Sequence, residues 1–158
     1  MATFKVVGIG QNGKYMDDTS RSDVIAYCFQ PHKIPHSLIG GMGVNPLYAA
    51  EEMVTLANSY NKDSGLRLRH WVISFSPKEK VSLQMANAIG RQAIRFYGQT
   101  YQIIYAVHED KNHPHIHVVM NSVSFLDGRK YHGEKKDYYR YLAYLKEVLF
   151  AYGLVLVA

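Results

Sequence analysis

This chain is poor in cysteine, in linker sequence and in long apolar runs. Cys28 is the only cysteine among 158 residues, so no intrachain disulfide can form and a reducing compartment is expected. No apolar run approaches the roughly 20 residues of a membrane span, which predicts no membrane insertion. Met1 to Gly10 lacks the apolar core and cleavage site of a secretory signal. There is no internal repeat, low-complexity tract or linker rich in Pro and Ser, so one domain over 1–158 is expected. Acidic residues are also short: 13 Asp and Glu face 18 Lys and Arg, a net charge of +5, which admits a polyanionic partner without requiring one. With 47% hydrophobic residues the chain has ample material for a core that needs neither disulfide nor metal staple.

Two things are abundant. There are 13 tyrosines, and four of the eight histidines fall between His108 and His117. The rest of the chain reads as alternating strands and helices. A first strand is expected over Phe4–Ile9, a helix over Arg21–Phe29 with Thr19 or Ser20 as cap, and a loop from Pro31 to Gly43. Asn45-Pro46 opens a helix running to about Asn61. Leu66–Ser76 reads as a strand, and Ser82 caps a helix with Met85, Ala86, Ile89, Ala93 and Phe96 on one stripe and Gly98 at its C′ position. Tyr101–Val107 and Ile116–Val123 pair as an antiparallel hairpin around Asp110, Asn112 and Pro114. Asp127-Gly128 turns the chain. A helix then spans about Lys136–Tyr152, and Leu154–Val157 adds a short strand. The fold class is α+β: a central antiparallel sheet of about five strands with helices packed mainly on one face.

The histidines carry the chemistry. In a strand, residues two apart share a face about 6–7 Å apart, so His115 and His117 project together. If the hairpin closes symmetrically, His108 faces His115 across the ladder and three imidazoles converge. Three neutral nitrogens suit Mn²⁺, Zn²⁺, Co²⁺ or Ni²⁺ better than the oxygen-preferring Ca²⁺ or Mg²⁺. Three protein ligands leave positions open for water and substrate. Asp110 and His113 would orient a ligand ring or act on protons.

His108-x-Asp110-x-x-His113-Pro114-His115-Ile116-His117-x-x-x-Asn121 resembles the metal motif of plasmid mobilisation relaxases, within the HUH endonuclease superfamily. Val24-Ile25-Ala26-Tyr27 resembles the first relaxase motif, which carries a nucleophilic tyrosine on a helix. His70-Trp71-Val72-Ile73-Ser74-Phe75-Ser76 resembles the second, where a serine at a strand end contacts DNA. Order and spacing agree most closely with the mobilisation-nuclease branch. The resemblance implies a cytoplasmic bacterial enzyme, either a minimal relaxase or the catalytic domain of a longer one. It would nick single-stranded or hairpin DNA at an origin of transfer, with accessory relaxosome proteins as possible partners. Tyr27 becomes the nucleophile, leaving a 5′-phosphotyrosyl bond and a 3′-hydroxyl, with Tyr15 and Tyr48 as rivals. His108, His115 and His117 become ligands of a divalent metal, Mn²⁺ or Mg²⁺ first and Zn²⁺, Co²⁺ or Ni²⁺ next. Ser74 becomes a DNA contact, and either Asp110 or His113 the proton acceptor.

Arg129 and Lys130, in the turn after the metal strand and beside Tyr131, suit single-stranded nucleic acid. A rolling-circle replication initiator, a hydrolytic metal-dependent nuclease and a non-enzymatic nucleic-acid-binding domain are the competing readings.

Overall fold

The computed structural model describes residues 1–7, 15–29, 34–110 and 113–158, with Asp110 through its backbone only. The sequence expectations for Gly8 and Ile9, for Pro31–Lys33, for Asn112 and for the Asp110 side chain lie outside the described residues. In chain order the elements are β1 (Ala2–Val7), α1 (Ser20–Phe29), β2 (Ile39–Met42), α2 (Ala49–Ser59), β3 (Leu68–Ser74), α3 (Leu83–Ala93), β4 (Tyr101–Asp110), β5 (His113–Ser124), α4 (Lys135–Phe150) and β6 (Leu156–Val157). The α+β class holds. The strands form one sheet in the order β2-β4-β5-β3-β1-β6.

Three details differ from the sequence reading. The sheet has six strands, and its β1–β6 edge is parallel: Ala2 and Thr3 pair with Leu156 and Val157. The extra strand is β2, from a segment that reads as loop because it carries Gly40 and Gly41. These glycines are what allow it to pair. A Cβ on Gly40 would lie 2.5 Å from the Tyr105 ring on β4, and Gly90 of α3 meets the same ring just as closely. Tyr105 is thus clasped between an edge strand and a helix, both of which lack side chains at the point of contact. Lastly, the helices cover both faces. On one face Ala86, Ile89 and Ala93 of α3 and Tyr141, Leu142, Leu145 and Leu149 of α4 pack on Ile103, Tyr105, Ile116, Val118 and Met120. On the other, Ile25, Cys28 and Phe29 of α1 and Ala49 and Met53 of α2 pack on Leu68, Ile104, Ala106 and Val119. An amphipathic stripe says that a helix is half-buried, not which side of the sheet buries it.

The local rules otherwise hold. The Ser82 hydroxyl accepts from the Met85 amide at 3.0 Å and caps α3. Gly153, at φ 75°, ends α4 in the left-handed region. Gly98 is not such a cap: α3 ends at Ala93, and Gly98 instead leaves room for Met42, whose sulfur would be 2.4 Å from an added Cβ.

α1 is tied to the sheet by a buried charge. Arg21 is 0% exposed. Its Nη1 donates to Asp63 Oδ1 at 2.6 Å, and Nε and Nη2 donate to Asn121 Oδ1 at 3.3 and 3.2 Å. Asn121, on β5, donates in turn to the Met53 carbonyl and to Gln102 Oε1. One asparagine therefore links α1, α2, β4 and β5. Burial works to raise Asp63, but Arg21 and Arg67 overcome it and hold the carboxyl below the usual carboxylate range. A carboxylate depressed in the folded state stabilises above its unfolded value, near 3.9, and loses that contribution as pH falls through the folded value. Asp63→Ala strands the Arg21 charge and is expected to cost about 3 kcal/mol in urea unfolding at neutral pH. The difference from the parent should shrink below pH 4. Equal stability of the two proteins at neutral pH would refute this account.

Candidate active site

The hairpin closes in the register that makes the histidines converge. His108 pairs directly with His115, Ala106 with His117 and Asp110 with His113. Opposed residues share a face, so His108, His113, His115 and His117 all lie on the face covered by α1. The ring centroids of His108 and His117 are 4.2 Å apart, those of His115 and His117 5.2 Å, and those of His108 and His115 5.3 Å. One nitrogen from each of the three lies within 4.8 Å of the others.

His117 is 8% exposed. Burial first, then the neighbouring His108, His70 and His115, pushes its pKa down to about 2. It is a neutral imidazole at neutral pH, the form that ligates a metal. The ring is held from behind. Nδ1 lies 2.8 Å from His70 Nε2, and His70 Nδ1 lies 2.9 Å from the Tyr15 hydroxyl. With Nδ1–H donating to His70, the lone pair of His117 is on Nε2. The ring nitrogen Nε2 of His108 donates to the Cys28 carbonyl at the end of α1, which leaves its lone pair on Nδ1. Three converging imidazoles, two of them (His108 and His117) with outer hydrogen bonds that set their tautomers, fit a divalent cation with open positions.

The first-motif tyrosine stands beside this cluster. Tyr27 is 63% exposed, and its ring meets the His117 ring edge-on at 6.3 Å. A cleft of about 500 Å³ runs along it, lined by Tyr15, Asp17, Asp23, Tyr27, His70 and His117. Its rivals sit differently. Tyr15 is 6% exposed, and burial, with Cys28 and Tyr27 nearby, pushes its phenol up to about 12. Tyr48 is exposed but lies at the start of α2, in a separate groove with Ser22, Ala26 and Phe29.

Ser74, the second-motif serine, ends β3 directly opposite His115 and so shares the histidine face. The ring of His113 lies 6.3 Å from that of His115, and its buried Nδ1 has no hydrogen-bond partner among the described residues. Arg129 and Lys130 are not part of this constellation. Lys130 pairs with Val123, six residues along β5 from His117, or about 20 Å. Arg129 is exposed beside Asp127, and the Lys130 ammonium donates to the Ser64 carbonyl.

Sequence reading passed over His70 as a site residue. Its signal was present: strand alternation puts His70, Val72 and Ser74 on one face, and Val72 pairs with His117. Cys28 gave no signal beyond its position next to Tyr27.

Comparison with known proteins gives the family. Residues 27–154 match the MobA/VirD2-like nuclease domain of the relaxase family. The chain belongs to that family, whose members are DNA-nicking enzymes. The protein named rlx of Staphylococcus aureus is 30% identical over 97 residues, covering 61% of this chain and 30% of that protein. The group II intron-interrupted relaxase LtrB of Lactococcus lactis subsp. cremoris is 32% identical over 74 residues, covering 46% of this chain and 13% of that protein. This chain spans less than a third of either relative. No helix among its described residues is long and apolar enough to cross a membrane.

Replacing His70 removes the hydrogen-bond partner that orients His117. His70→Ala is expected to weaken Mn²⁺ binding about 10–100-fold, read by electron paramagnetic resonance of the free ion. An unchanged affinity would show that His70 does not orient the site.

Proposed function

We propose that this chain is one nuclease domain that cuts and rejoins a single DNA strand at an origin of transfer by transesterification, with Tyr27 as the nucleophile. The observation that carries this reading is an exposed phenol against a trio of converging imidazoles, at the wall of an open cleft. Tyr15 is disfavoured because it is buried and its proton is harder to remove.

His108, His115 and His117 would hold a divalent cation, Mn²⁺ or Mg²⁺ foremost. When bound, such an ion withdraws charge from a phosphate oxygen and stabilises the crowded phosphorus of the transition state. The remaining work falls to the chain. The Tyr27 oxygen attacks phosphorus and its proton passes to a nearby acceptor, since an unassisted phenol, with a pKa near 10, is a poor nucleophile. His113 is our choice for that acceptor on the strength of its buried Nδ1, which has no hydrogen-bond partner among the described residues. Asp110, opposite it in the ladder, is the other candidate. The bond from phosphorus to the 3′ oxygen breaks, that oxygen takes up a proton, and the 5′ end stays on Tyr27 as a phosphate ester. The reverse attack by the 3′-hydroxyl restores the strand and frees the phenol.

Ser74, opposite His115 in the ladder, would hydrogen-bond a phosphate next to the scissile one. Arg129 and Lys130, at the far end of β5, would contact DNA well away from the nick. A single strand linking the two regions runs along the sheet.

Tyr27→Phe is expected to abolish the covalent protein–DNA adduct on a single-stranded origin oligonucleotide while leaving Mn²⁺ uptake unchanged. Peptide mass mapping of the parent adduct should place the nucleotide on Tyr27, and chelation with EDTA should stop its formation. Free 5′-phosphate products without any adduct would instead mean hydrolysis by water.

A further inference from the structure

Behind the three-histidine cluster lies a second group of ligand atoms that the nicking reaction does not use. Cys28 Sγ is 3.7 Å from His70 Nε2 and 3.7 Å from His117 Nδ1, and those two nitrogens are 2.8 Å apart. All three side chains are buried, yet His70 and His117 also line the open cleft. A thiol and two imidazoles are the donor set of thiophilic ions such as Zn²⁺. The dimensions agree. With Zn–S near 2.3 Å and Zn–N near 2.0–2.1 Å in a tetrahedron, sulfur and nitrogen lie about 3.6 Å apart and the two nitrogens about 3.3 Å apart. Both sulfur–nitrogen separations are already there. The imidazoles need to part by only about 0.5 Å, giving up their mutual hydrogen bond to the ion. The Tyr15 hydroxyl on His70 Nδ1 supplies the outer partner that a ligating histidine requires.

We propose that Cys28, His70 and His117 form a second seat for a thiophilic divalent ion, and that filling it disables the outer three-histidine centre. The exclusion follows from the imidazole itself. A neutral ring has one lone pair and one N–H. When His117 serves the outer centre, Nδ1 carries the proton and donates to His70. When Nδ1 binds the inner ion, the proton moves to Nε2 and the outer centre loses a ligand. Seating the ion also converts Cys28 from thiol to thiolate, releasing one proton to water per ion bound. The inner seat stands on its own geometry; only the exclusion rests on the three-histidine reading. It makes the enzyme sensitive to zinc-like ions at a point where manganese-like ions activate it.

Cobalt(II) titration of the full chain tests this, because a thiolate on cobalt gives a near-ultraviolet charge-transfer band that imidazoles do not. The parent is expected to show the band at one equivalent. The His108→Ala/His115→Ala double variant, which keeps the inner trio, is expected to keep it. Cys28→Ser and Cys28→Ala should lose it while still melting cooperatively. Mn²⁺ loaded on the parent should be released as the band grows, and Cys28→Ser should need about tenfold more cobalt for the same release. No band in the parent, or a band that persists without Cys28, overturns the inner seat. A band that grows while Mn²⁺ stays bound overturns the exclusion. Normal Mn²⁺ uptake in a parent without the band would sink this proposal and leave the nicking reading intact.

Discussion

Everything at the site depends on the register of β4 against β5. The pairing of His108 with His115 decides which side chains of two adjacent strands meet. Side chains alternate faces along a strand, so a slip of one residue would carry His108 to the far side of the sheet while His115 and His117 stayed. That slip would also put Tyr105 and Val107 under α1 and a histidine beside Ile116 and Val118. The apolar pattern of the hairpin and the convergence of the imidazoles are therefore one constraint. The core cannot be satisfied without assembling the cluster.

Burial then sets the chemistry. Of the three converging histidines His117 sits deepest, opposite Ala106 and beneath α1, where a charged ring would be both desolvated and crowded by its neighbours. Its neutrality comes from its position. Tyr27 and Cys28, adjacent on α1, meet the same histidine from different sides: the phenol from the cleft, the thiol from the interior. Sequence neighbours on one helix thus divide an accessible reaction surface from a concealed set of ligands.

The parts of this molecule legible in its sequence are those governed by short-range rules. Period-two alternation in His115-Ile116-His117 gave the shared face, Ser82 gave a helix start, and Gly153 gave a helix stop. What escaped were features set by approach in three dimensions. Gly40-Gly41 reads as loop until Tyr105 is seen filling the space beside it. Helices on both sides of the sheet, and the parallel pairing of β6 with β1, follow from how elements stack rather than from any one segment. At the site, three histidines within one hairpin were visible because their partners are near in sequence. His70 reaches His117 across 47 positions, and Arg21 reaches Asn121 across 100. For contacts of that range a segment shows which face a residue occupies, as it does for His70, but not what that residue meets.

α1 is fastened at both ends. Arg21 anchors its first turn through Asn121 and Asp63, and the Cys28 carbonyl accepts from His108 at its last. A helix pinned twice has little freedom to swing, so the backbone that carries Tyr27 keeps its place relative to the imidazoles whether or not anything occupies the cleft. The adaptation on binding then has to come from the incoming strand, which must bend and unstack to fit a fixed template. Selectivity would accordingly favour sequences that deform easily at the point of entry over those offering the best hydrogen-bond pattern.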